Sequence, residues 1–80
     1  MRIDKFLKNS RIIKRRTIAK EACEQGKVTI NGKTAKPGDE VKVLDEVTIN
    51  FGNGSKSFQI LEIKENVQKS EATNLYKILD

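Results

Sequence analysis

The chain has 80 residues, 36% of them hydrophobic, and a net charge of +5, so it makes one small-cored domain and no membrane-spanning helix. Arg2, Asp4, Lys5 and Lys8 break up any apolar signal segment at the N-terminus, and a cytoplasmic protein without membrane contact is expected. Cys23 is the single cysteine and histidine is absent, which excludes an internal disulfide and a zinc site and leaves Cys23 as a small apolar residue on a buried helix face.

Ile3, Phe6 and Leu7 recur at helical spacing and predict a short helix from about Ile3 to Lys8, with Asp4 in a structural role, fixing Arg2 or favouring the helix's positive end, and Ser10 ending it. Ile12 and Ile13 are expected to be buried in the connection. A second helix is expected from Arg16 or Thr17 to Gln25, with Ile18, Ala19, Ala22 and Cys23 on its inner face and Gly26 as its stop. Lys27 to Ile30, Asn31-Gly32 and Lys33 to Ala35 read as a hairpin, because Asn-Gly supplies two positive-φ turn positions. Lys36 to Glu40 is a turn-rich connector, after which Val41, Val43 and Leu44 are expected to re-enter the core. Val47 to Phe51 and Lys56 to Ile60 alternate like half-buried strands around a tight turn at Gly52 to Ser55. Leu61 and Ile63 fall out of phase, which predicts a bulge or a strand buried on both faces. Ser70 to Asp80 reads as a helix with Ser70 as its N-cap and Ala72, Leu75, Tyr76 and Leu79 as its buried stripe. The whole is an α+β domain: two N-terminal helices on a small, mostly antiparallel sheet, plus a C-terminal helix.

Charge is segregated along this chain. Residues 1–36 carry eleven Lys and Arg against three acids, whereas residues 37–80 carry five Lys against eight acids. A basic half beside a mildly acidic one is the footprint of a polyanion binder. Arg2, Arg11, Lys14, Arg15 and Arg16 are the leading candidates for phosphate contacts, since a guanidinium bonds two oxygens at once. Lys5, Lys8, Lys20 and Lys27 follow, and Asn31 either meets RNA or only shapes the hairpin turn. Phe51, Phe58 and Tyr76 all fall on faces expected to be buried, so readout by backbone and shape of folded RNA is expected rather than base stacking. A helix-turn-helix on duplex DNA fits less well, because the link from Asn9 to Arg15 is long and no dimerising element is evident. Catalysis is not expected: no nucleophile has a nearby base, no Gly-rich phosphate loop occurs, and no cofactor is implied.

Several runs are more specific. Arg2-Ile3-Asp4-Lys5-Phe6-Leu7, Ser10-Arg11-Ile12, Lys14-Arg15-Arg16-Thr17-Ile18-Ala19 and Gly26-Lys27-Val28-Thr29-Ile30-Asn31-Gly32 resemble, in order and spacing, the S-four RNA-binding domain, over residues 2 to about 50. The resemblance implies the alpha-L fold for residues 1–50, with 51–80 a strand and helix extension of a single domain. The whole chain, with Ala72 to Leu79 included, resembles the ribosome-associated quality-control protein P family of Gram-positive bacteria. That resemblance implies a monomer bound to rRNA of a stalled large ribosomal subunit and to its peptidyl-tRNA. It also implies work alongside quality-control protein H, which brings alanyl-tRNA for untemplated alanine tailing. A related ribosome-binding heat-shock protein implies the alternative, rescue or recycling of the same particle without tailing; its longer basic C-terminal extension, not seen here, favours tailing. One departure stands out: the family's Pro-Gly-Asp before the Val47 strand is Val43-Leu44-Asp45 here, while Pro37-Gly38-Asp39 comes earlier. The loop from Lys36 to Asp45 is therefore expected to be shaped differently.

Overall fold

The computed structural model describes residues 1–79. Helix α1 spans Ile3–Asn9 and helix α2 Arg16–Glu24. Strands β1 (Val28–Ile30), β2 (Lys33–Thr34), β3 (Glu46–Asn50), β4 (Ser55–Ile60) and β5 (Tyr76–Leu79) form one antiparallel sheet in the order β2-β1-β3-β4-β5. A 3-10 helix, Lys69–Leu75, leads into β5. The fold is α+β, as the residue pattern predicts.

Both α-helices end in left-handed residues. After α2, Gly26 has φ +74°, and the amides of Gly26 and Lys27 bond back to the carbonyls of Cys23 and Ala22, closing a Schellman motif. After α1 the equivalent position is Arg11, at φ +60°, and its amide bonds to the Lys8 carbonyl. The start of α1 has no side-chain cap; the amides of Ile3 and Asp4 are taken up by the carbonyls of Asp39 and Pro37. The connector at Pro37-Gly38-Asp39 is thus a clamp on α1, reinforced by an isolated antiparallel backbone β-bridge between Arg2 and Glu40. The Asn31-Gly32 turn has φ +52° and +84°, the geometry that Asn-Gly supplies.

Helix α1 brings Ile3, Phe6 and Leu7 to the core, α2 brings Ala19 and Cys23, and the sheet brings Val28, Val47, Ile49, Phe58 and Ile60. Phe6 stacks on Phe58 at 6.4 Å between ring centroids, and Tyr76 meets Phe58 edge-on at 5.6 Å. These contacts fix the helical pair on one face of the sheet.

The tail departs from expectation. Its helix ends at Leu75, and Tyr76–Leu79 pairs with β4, Tyr76 opposite Ile60 and Ile78 opposite Phe58. Ala72, Leu75, Tyr76 and Leu79 do recur at helical spacing, but β4 offers an unpaired edge, and a strand satisfies it. Ser70 lies inside the 3-10 helix; Gln68 precedes the first turn, without a side-chain cap bond. Asp80, the last residue of the expected helix, lies outside the described residues. Strand β4 stops at Ile60, so Leu61 and Ile63 belong to no bulge: Leu61 is exposed and Ile63 packs partly on the core.

Four apolar residues expected inside are also on the surface: Ile18, Val43, Leu44 and Phe51. Of the connector, only Val41 re-enters the core. Leu44 occupies the left-handed corner of a turn, φ +77°, closed by the Asp45 amide on the Lys42 carbonyl. That corner throws its side chain outward. Ile12 and Ile13 are partly buried against the core.

Candidate nucleic-acid interface

The ten candidate residues divide into separate groups. Arg2, Arg16 and Lys20 line one small concavity with Thr17, and Asp4 lies at its base. The carboxylate is buried, at 2% exposure, yet it accepts from two guanidinium groups: Arg2 Nη2 at 3.1 Å and Arg16 Nη2 at 3.5 Å. Both arginines stay nearly half exposed, so each keeps donors free for an outside partner. Gly38 lies beneath the Arg2 guanidinium, where an added Cβ would come within 3.9 Å of it. The arrangement holds two cations side by side on a single buried anion. An arginine fastened in this way loses less side-chain entropy on meeting phosphate.

Lys8, Arg11 and Lys14 line a second, wider concavity with Asn9 and residues of the 66–71 segment. Asn9 Nδ2 donates to the carbonyls of Lys64 and Glu65, tying that segment to the end of α1. Lys64 pairs with Glu71 at 3.3 Å. Glu71 is the acid on this wall, and the three cations leave the concavity net positive.

The remaining candidates stand apart. Lys5 is paired with Glu65, and its ammonium holds the Glu65 carboxyl below the usual carboxylate range. Arg15 is exposed at the N-cap position of α2. Lys27 lies beside the apolar groove between α2 and β3. Asn31 turns its amide inward: Nδ2 donates to Asp45 Oδ1 at 3.0 Å, and Oδ1 accepts from the Glu46 amide at 2.9 Å. Asp45 also accepts from the Lys42 amide, so it pins the hairpin to the Leu44 turn.

The double role of Asp4 was only half visible in the sequence. A partner for Arg2 two residues away is a natural guess; Arg16 meets Asp4 only because α2 packs against α1. The clamp by Pro37 and Asp39 left no sequence signal beyond turn composition. Burial drives the Cys23 thiol up to about 11, with the Asp4, Asp39 and Glu24 carboxylates adding to it, which makes the thiol unreactive at neutral pH. Among the described residues no group of His, Cys, Asp and Glu could hold a metal ion. No described helix is long and apolar enough to cross a membrane.

A paired-helix platform on a small sheet, with Arg2 and Arg16 held half-exposed over one buried carboxylate, makes a cationic surface suited to phosphate. The family model of the S4 domain matches residues 1–47. A protein of Halalkalibacterium halodurans named RQC P-site tRNA stabilizing factor is 55% identical, over 98% of this chain and 89% of its own. Its namesake in Bacillus subtilis is 52% identical, over 99% and 92%. Heat shock protein 15 of Escherichia coli is 36% identical, over 96% of this chain and 59% of its own. The solved trimeric structure of Vibrio cholerae heat shock protein 15 superposes with a TM-score of 0.90 at 34% identity, covering 99% of this chain and 81% of that one. The chain belongs to the S4 domain family and, within it, to the family of RQC P-site tRNA stabilizing factors.

Proposed function

We propose that this chain works in ribosome-associated quality control, binding tRNA and rRNA on a stalled large ribosomal subunit that still carries peptidyl-tRNA. The observation that carries the reading is the pair Arg2 and Arg16 on buried Asp4, a cationic clamp with exposed donors on the platform of an RNA-binding family. The relatives that match nearly end to end are named for stabilising P-site tRNA. Arg2 and Arg16 contact phosphate first, with Lys20 beside them. Lys8, Arg11 and Lys14 make a second row, and Arg15 lies at the N-terminal end of α2. Lys5, Lys27 and Asn31 contribute less, because Lys5 is paired with Glu65 and Asn31 is spent on the hairpin. Arg11 supports this reading in its own way: an arginine occupies a left-handed position where glycine costs nothing, and strain of that kind gathers at functional sites.

By holding the tRNA, the chain supports untemplated alanine tailing together with quality-control protein H. Rescue or recycling without tailing, as by a heat-shock protein, is the second reading; the heat-shock relative that favours it is 36% identical, against 55% for the relative that favours the first. Deleting the gene in its own organism and following a non-stop reporter separates the two. Shortened or missing alanine tails are expected; tails of normal length would contradict the tailing role.

A further inference from the structure

Ile18, Phe51 and Ile78 each stand about half out of the surface, at 49%, 50% and 54%. They are not scattered. Phe51 and Ile78 line an open groove of about 640 Å³, and Ile18 and Phe51 line an adjoining one of about 380 Å³. Ile12, Ile49 and Phe51 line both, so the two grooves make one apolar strip from α2 across the α1–α2 link to β5. Contiguous apolar surface of this kind marks an interaction site.

The strip lies on the flank of α2 away from the arginine clamp. Arg16 and Lys20 are one turn apart on one side, whereas Ile18 is two residues past Arg16, on the opposite side, with Ala22 one turn beyond. An occupant of the strip therefore leaves the Arg2–Arg16 concavity open.

We infer that this strip docks an acidic amphipathic helix of a partner protein, a binding role additional to the RNA-binding one. The charge of the rim selects the partner. Arg11 and Lys56 border the wider groove with no acid on its wall, and Lys27 borders the narrower one opposite Glu21. A second copy docked isologously would bring these cations against themselves. RNA would satisfy the cations and find one stacking face, half-exposed Phe51, but leave the aliphatic floor of Ile12, Ile18, Ile49 and Ile78 unused, and Tyr76 is already engaged edge-on with Phe58. A helix with apolar anchors on one face and Glu or Asp on its flanks matches both features.

The test is a titration of the isotope-labelled full chain, followed by amide shifts. The probes are a synthetic helical peptide with Leu on one face and Glu on its flanks, the same peptide shuffled, its Glu→Lys version, and an oligouridylate. Saturable shifts confined to the surroundings of Ile12, Ile18, Phe51 and Ile78 are expected with the first peptide alone. Phe51→Ser and Ile78→Ser should each weaken binding by about fivefold or more. If Phe51→Ser does not fold, Ile18→Ser on the exposed flank of α2 carries the same expectation. Equal binding by the shuffled or Lys peptide would overturn the proposal, as would shifts at Ile18, Phe51 and Ile78 produced by the oligouridylate or by self-association of the chain alone.

Discussion

Asp4 is a buried anion whose value lies in the two cations above it. Asp4→Asn raises the net charge by one, so a purely electrostatic interface would bind RNA more tightly. If Asp4 sets the directions of Arg2 and Arg16, affinity for large subunits should instead fall by about three- to tenfold, or roughly 0.7–1.4 kcal/mol. Co-sedimentation at fixed salt reads the sign directly. Cys23 gives a second prediction at this scale. Its thiol rises from 9.0 to about 11 on folding. The unfolded chain therefore loses the proton first as pH climbs, so the associated stability is intact below about pH 9 and is lost toward 11. Unfolding free energies from urea titrations should drop between those limits by an amount on the order of 1–2 kcal/mol, and the Cys23→Ala chain should lack that part of the drop. Iodoacetamide should label Cys23 slowly in the native chain at pH 8 and quickly in urea.

Among the described residues, two of the three left-handed non-glycines, Arg11 and Leu44, set a strained position in the proposed RNA-binding row beside one outside it. Leu44 sits at the corner of the Lys42–Asp45 turn with its side chain largely exposed. Leu44→Gly should raise stability by about 0.5–1 kcal/mol, the steric relief less the entropy of glycine. RNA binding should not change. Arg11→Gly should stabilise the fold similarly and yet weaken RNA binding, since Arg11 belongs to the basic row. Denaturant midpoints measured beside large-subunit binding separate the two cases. The elements also show what the sequence made legible. Both N-terminal helices, the Asn-Gly hairpin and the two alternating strands are local patterns with local causes, and they form where the periodicity places them. The tail is different: Tyr76 to Leu79 satisfies a helical spacing, and only the open edge of β4, a non-local partner, turns it into a strand. Ile18 and Phe51 were misplaced for a related reason. An apolar residue left outside by the packing of α2 and the end of β3 looks, in sequence, like one inside.

At the scale of the molecule, charge segregation pointed to a polyanion partner without geometry. The structure added that the ten candidate residues are not one patch. Arg2, Arg16 and Lys20 gather over Asp4, while Lys8, Arg11 and Lys14 form a second row. Lys5 and Asn31 turn toward partners within the chain. Sequence spacing could not sort these, because the sorting depends on how α2 crosses α1. The most direct test of this arrangement is the salt dependence of large-subunit RNA binding, measured for the unaltered chain and for Arg2→Ala and Arg16→Ala. About five to seven phosphate contacts predict a log–log slope of roughly −4 to −6 for the unaltered chain, made shallower by roughly one in each variant, with thermal unfolding measured beside it to separate lost contacts from the destabilisation of a buried Asp4 left with one guanidinium. A slope near zero, or normal binding by both variants, would contradict an interface centred on the Arg2–Asp4–Arg16 clamp.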